Sequence, residues 1–90
     1  MLARWRVWRA ERRRGERAIR RAVQEFRERR GFAPMGGHLL RADPQQTIVR
    51  ITYMTNRRPP DRAWFAVSET DTAVRELAFD EVAHLETPWR

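Results

Sequence analysis

Between Glu16 and Arg30 the apolar residues Ala18, Ile19, Ala22, Val23 and Phe26 recur at spacings of three and four and form one stripe, which predicts an amphipathic helix over residues 16–30. Its end is well marked. Arg27, Arg29 and Arg30 stand where cations favour the helix dipole, and Gly31 can take the left-handed closing conformation. Glu16 with Arg20 and Glu25 with Arg29 are spaced for ion pairs one turn apart, acid first. The start is poorly marked: residues 1–31 contain no Ser, Thr, Asp or Asn, which leaves Gly15 as the expected N-cap. Trp5 and Trp8 could carry the stripe further upstream, but Arg12 and Gly15 would interrupt its seam. Residues 1–14 are therefore expected as a distinct arginine- and tryptophan-rich extension, helical in preference to a short strand, attached to a single domain over residues 15–90.

Beyond Gly31 the period changes from 3.6 to 2, the mark of strands. Residues 37–42 predict a first strand, closed by the turn Asp43-Pro44-Gln45-Gln46. Residues 47–55 predict a central strand, with Val49, Ile51 and Tyr53 on one face and Ile48, Arg50, Thr52 and Met54 on the other. The stretch Asn56-Arg57-Arg58-Pro59-Pro60-Asp61 carries the strongest loop signals in the chain. Residues 62–68 follow as a third strand, with Ala63, Phe65 and Val67 facing one way and Trp64 the other, and residues 72–77 as a fourth. Residues 79–86 predict a short helix with Phe79, Val82 and Ala83 turned inward, ended before Pro88. The expected fold class is α+β: an N-terminal amphipathic helix packed on a four-stranded antiparallel meander, with a short C-terminal helix.

Composition adds a constraint on the core. Ninety residues accommodate one domain, and Ile, Leu, Val and Phe together number 18, few for a chain with net charge +7. Five of those 18 precede residue 32, so most of the core must come from the strands. The absence of cysteine excludes disulfides, thiolate metal sites and thiol nucleophiles, and makes the cytoplasm the default expectation. No run is long and apolar enough for a membrane span or a secretory signal.

The charge is unevenly placed. All 19 basic residues are arginine; residues 1–31 hold 12 of them with four glutamates, and the remainder is close to neutral. Arg6, Arg9, Arg13, Arg17, Arg20 and Arg27 project to one helix face, opposite Ile19 and Phe26. Planar, permanently charged guanidinium groups match phosphate and carboxylate forks, so this face is a candidate site for an anionic partner, an acidic protein or a nucleic-acid backbone. The complete absence of lysine also fits a general preference for arginine and a merely solvated face. The stiffened loop carrying Arg57, Arg58 and Arg62 is a second candidate for the same kind of partner, or else a solvated hairpin tip in which Asp61 pairs with a neighbouring arginine. Trp5 and Trp8, at i and i+3, are expected to pack on the sheet or on a second copy, which raises the possibility of a homodimer.

Nothing in the chain reads nucleic-acid sequence: helix-turn-helix spacing, zinc-finger ligands and aromatic RNA-binding motifs are all missing. His38 and His84 lack companions at metal-ligand spacing, and no cofactor is expected. A small basic ribonuclease using Arg50, Tyr53, Arg57, Arg62 and His38 is the weakest alternative, because Arg50 and Tyr53 differ by an odd number and face opposite sides of their strand. The expectation is thus a non-enzymatic binding protein, with an inhibitor or immunity-type role and a structural homo-oligomer as the other readings.

Overall fold

The computed structural model describes residues 2–43, 45–56, 59–70 and 73–86, and within the N-terminal helix it leaves aside the side chains of residues 2–5, 7, 8 and 11. The fold is α+β. Helix α1 (Leu2–Arg30) is followed by strands β1 (Gly36–Ala42), β2 (Gln46–Tyr53), β3 (Asp61–Ser68) and β4 (Val74–Leu77), and then by the single turn α2 (Phe79–Val82). The four strands form an antiparallel meander in the order β1-β2-β3-β4.

The two-residue periodicity sorts the side chains as the sequence implies. Cross-strand pairs Val49 with Phe65 and Ile51 with Ala63 put these residues on the α1 side, where they bury with Val67 against Ala18, Ala22 and Phe26. Phe26 is fully buried and its ring lies 4.9 Å from that of Tyr53 and 5.3 Å from that of Phe32. The opposite face carries a second, smaller cluster: Ile48, Ala66 and Leu77, capped by Val82 of α2 with Leu40, Trp64 and Leu85 around it. A 90-residue chain thus divides its few apolar residues over two layers of core. A β-bulge between Leu39 and Arg41 breaks the register of the outer strand β1, a device that discourages edge-to-edge pairing.

Three expectations need correction. First, α1 runs unbroken through Gly15, so Gly15 is not an N-cap. It is buried on the sheet side, where an added Cβ would stand 3.1 Å from Leu39 Cδ2; the glycine keeps the helix close to the edge strand. Second, Arg12 does not occupy an apolar seam but is exposed, and its Nε pairs with Glu16 at 3.4 Å, which takes the place of the expected Glu16–Arg20 pair. Third, the last helix is one turn, and Phe79 is 56% exposed where an inward position was expected. With only four residues, α2 turns a single apolar side chain, Val82, fully into the cluster.

The helix end behaves as predicted: Gly31 has φ 83° and donates its N–H to the Arg27 carbonyl at 2.8 Å. At 29 residues α1 is about 43 Å long, whereas an eight-residue strand spans about 27 Å. The mismatch decides the shape. Among the described side chains of α1 the buried positions lie from Gly15 onward, and those described between residues 6 and 13 are exposed. The helix is thus longer than the strands it packs on, within a molecule of 49 × 34 × 20 Å.

Candidate anionic-partner interface

Arg6, Arg13, Arg20 and Arg27 are seven residues apart, two helical turns each time, so they form a row along the outer face of α1 with steps of about 10.5 Å. All four are exposed and make no ion pair among the described residues. Arg9 and Arg17, exposed on the same face, widen the row. The structure thus brings the six arginines singled out by periodicity onto one solvent-facing ridge.

Two acids near the C-terminal half of the helix, Glu25 and Glu76, are engaged by arginines outside the ridge. Glu25 accepts from Arg29 Nε at 2.7 Å and from Arg21 Nη1 at 3.1 Å. The Arg29 hydrogen bond is the largest influence holding the Glu25 carboxyl below its ordinary range, against an opposing effect of burial. On β4, Glu76 takes Arg30 Nη2 at 2.8 Å and lies 3.8 Å from Arg29 Nη1; its hydrogen bond raises the Arg30 pKa further. Arg30 also stands 5.4 Å from the centre of the Phe26 ring. Arg21, Arg29 and Arg30 are therefore tied into the fold, and Arg6, Arg13, Arg20 and Arg27 are left to solvent among the described residues.

Beside the C-terminal half of the ridge runs a shallow groove of about 500 Å³, with Ile19 and Val23 as its floor and Arg20, Gln24, Arg27 and Glu28 around it. Ile19 and Val23 belong to the predicted stripe, but they sit at its margin and are only partly buried. An apolar strip rimmed by guanidinium groups was not foreseen; a signal existed in the width of the stripe, which exceeds what one edge of a narrow sheet can cover.

The second candidate is only partly described. Arg57 and Arg58 lie outside the described residues. Arg62 is exposed at the start of β3 and makes no ion pair among them. Asp61 Oδ1 accepts the backbone N–H of Arg62 at 2.8 Å. Trp5 and Trp8 are within the backbone of α1, but their side chains are outside the description.

Arg50 and Tyr53 face opposite sides of the sheet. Tyr53 packs on Phe26, while Arg50 Nη1 donates to Glu86 Oε1 at 2.8 Å, and Glu86 Oε2 accepts the Trp64 indole N–H at 2.7 Å. Tyr53 is thus separated from Arg50, His38 and Arg62, which share the other face of the sheet, and Arg57 lies outside the described residues. His38 and His84 are exposed, and no group of three His, Asp or Glu able to hold a metal occurs among the described residues. The Arg50–Glu86–Trp64 network was not anticipated, because its members are separated by 36 and 22 residues and no local pattern links them. No helix of the described residues is long and apolar enough to cross a membrane. In comparisons with known proteins, no family model, no curated protein and no solved structure matches the chain.

Proposed function

We propose that this is a non-enzymatic binding protein that engages an anionic partner through the outer face of α1. One observation carries the reading: Arg6, Arg13, Arg20 and Arg27 are exposed in a gently winding row of about 31 Å and have no acidic partner among the described residues. A regular line of guanidinium groups on a stiff rod fits an extended polyanion, and a nucleic-acid backbone offers the densest line of charge. Binding would be to phosphates and indifferent to base sequence. With four to six phosphates neutralised, log affinity for a short DNA duplex falls against log salt with a slope of about −4 to −5, several-hundred-fold between about 50 and 200 mM salt. Replacing Arg13 and Arg20 together by Gln makes the slope shallower by about 2 while leaving thermal stability unchanged. Absence of binding to DNA or RNA at low salt removes the nucleic-acid reading.

A second reading, an acidic protein partner of the kind an inhibitor or immunity-type protein would have, is favoured by the groove, since Ile19 and Val23 offer the apolar footing that protein interfaces need beside Arg20 and Arg27. Affinity purification separates the two: nucleic acid that salt strips from the protein supports the first, and a stoichiometric acidic chain retained in its absence supports the second.

A further inference from the structure

The sheet face opposite α1 has an open corner. Thr52 and Arg50 of β2, Asp61, Arg62 and Trp64 of β3, Pro59 and Pro60 of the preceding loop and Phe79 of α2 bound a cleft of about 430 Å³, within the size range of small-molecule sites. Its walls are of two kinds. Trp64 and Phe79 form one, with ring centres 5.5 Å apart, and Phe79 keeps more than half of its surface exposed although it stands beside the second apolar cluster. The two prolines supply a stiff apolar rim. The other wall is made of donors.

Arg50 uses Nη1 for Glu86, and its Nε is buried with no acceptor. Its Nη2 is not among the buried unpaired atoms and makes no hydrogen bond within the described residues, so it is open to solvent. Nε and Nη2 are the two donors of one edge of the guanidinium, the edge that grips a carboxylate or phosphate with two parallel hydrogen bonds. In Arg50 this edge is unused. Across the strand pair Thr52 faces Arg62, whose guanidinium has no partner among the described residues. Of the corner's two acids, Glu86 is engaged, since both its oxygens accept hydrogen bonds from Arg50 and Trp64 and its side chain is 8% exposed, while Asp61 is exposed and uses Oδ1 for the Arg62 backbone N–H.

We propose that this cleft binds a small amphipathic anion, a flat apolar ring bearing one carboxylate or phosphate, with the acid group on Nη2 of Arg50, the solvent-open end of that edge, and on Arg62, and the ring against Trp64 and Phe79. Glu86 keeps the Arg50 guanidinium and the indole in place for it. The site is independent of the α1 ridge, which lies on the other side of the sheet.

Titration of the whole protein with naphthoate and with naphthyl phosphate, followed by the Trp64 indole N–H resonance, tests the assignment. Saturable shifts centred on Trp64, Phe79 and Thr52 are expected for at least one of the two probes, and the tighter one identifies the acid group. Neutral naphthamide and ring-free acetate should each bind about tenfold or more weakly. Arg62→Gln and Phe79→Ala, both at exposed positions, should each weaken binding by about tenfold with an unchanged folded spectrum, whereas Arg13→Gln with Arg20→Gln should leave it unaltered. No saturable binding of either acid, equal affinity for naphthamide, shifts confined to α1, or full affinity in Arg62→Gln would each overturn the proposal.

Discussion

Two glycines show how single side chains set the distance between helix and sheet. A Cβ added at Gly37 would lie 2.8 Å from Ile19 Cγ2 and 3.3 Å from Ile51 Cδ1. The Ile19 methyl is on a β-branched carbon and cannot rotate away without disturbing its rotamer. Gly37→Ala should therefore destabilise by about 1–3 kcal/mol, the usual cost of overpacking. At Gly15 the crowding is milder, 3.1 Å to the terminal methyl of Leu39, and an interior helical glycine costs up to about 1 kcal/mol relative to alanine. Gly15→Ala should be neutral or stabilising by about 0.5 kcal/mol. Urea denaturation of the pair checks both signs, and a stabilising Gly37→Ala would show that the helix does not approach β1 as closely as described. Arg50 Nε is the residue-scale anomaly on the other face, a buried donor without an acceptor, a situation that typically costs about 1–3 kcal/mol.

Among the elements, α1 does two jobs along its length. From Gly15 to Arg30 it supplies half of the main core, and Phe26 alone, fully buried, is a side chain whose removal would cost about 3–5 kcal/mol. Between Arg6 and Arg13 its described side chains are exposed and mostly basic. Helices of this kind are held by packing more than by propensity, and these turns carry several like-charge neighbours one turn apart, such as Arg9 with Arg13 and Arg13 with Arg17. Deleting residues 2–13 should accordingly leave the sheet and the second half of α1 folded, with the Trp64 indole and Phe26 ring resonances unchanged, while it removes part of the affinity for DNA. Unfolding of the truncated chain would instead place Trp5 and Trp8 in the core. The short α2 is fixed by its ends: the Glu81 carboxylate accepts the Ala78 N–H at 2.8 Å and Arg75 Nη1 at 3.1 Å, and Val82 fills the second cluster.

At the scale of the whole molecule, charge is partitioned between faces. Glutamates bond the arginines that lie against the sheet, and the surplus of +7 is displayed mostly on the outside of α1. These pairs make stability depend on acid. The Arg29 hydrogen bond lowers the pKa of Glu25, and the backbone N–H of Ala78, followed by Arg75, lowers that of Glu81. Unfolded glutamates titrate near about pH 4.3, so just below that value the unfolded chain binds more protons than the folded one. The stabilisation is thus fully present above about pH 4.3 and is lost as pH falls through the lower folded values. The urea midpoint should be level between about pH 5 and 7 and decline below about pH 4.3, with a smaller decline in Glu25→Gln. Glu81, being exposed, adds little to it. An equally steep decline in Glu25→Gln would assign the acid sensitivity to other carboxylates.

By itself the sequence determined the element types, the sides of the strands that face α1, the closing of α1 at Gly31 and the concentration of arginine on one helix face. These follow from local periodicity and from the conformational range of single residues, which act over a few neighbours. Only the tertiary structure decided which arginines remain unengaged, because Glu76 meets Arg30 across 46 residues and Glu86 meets Arg50 across 36. It also decided that Gly15 is a contact point instead of a cap, since that depends on Leu39 arriving beneath it. Periodicity specifies the direction in which a side chain points; the identity of what it meets there depends on how strands distant in sequence are brought side by side.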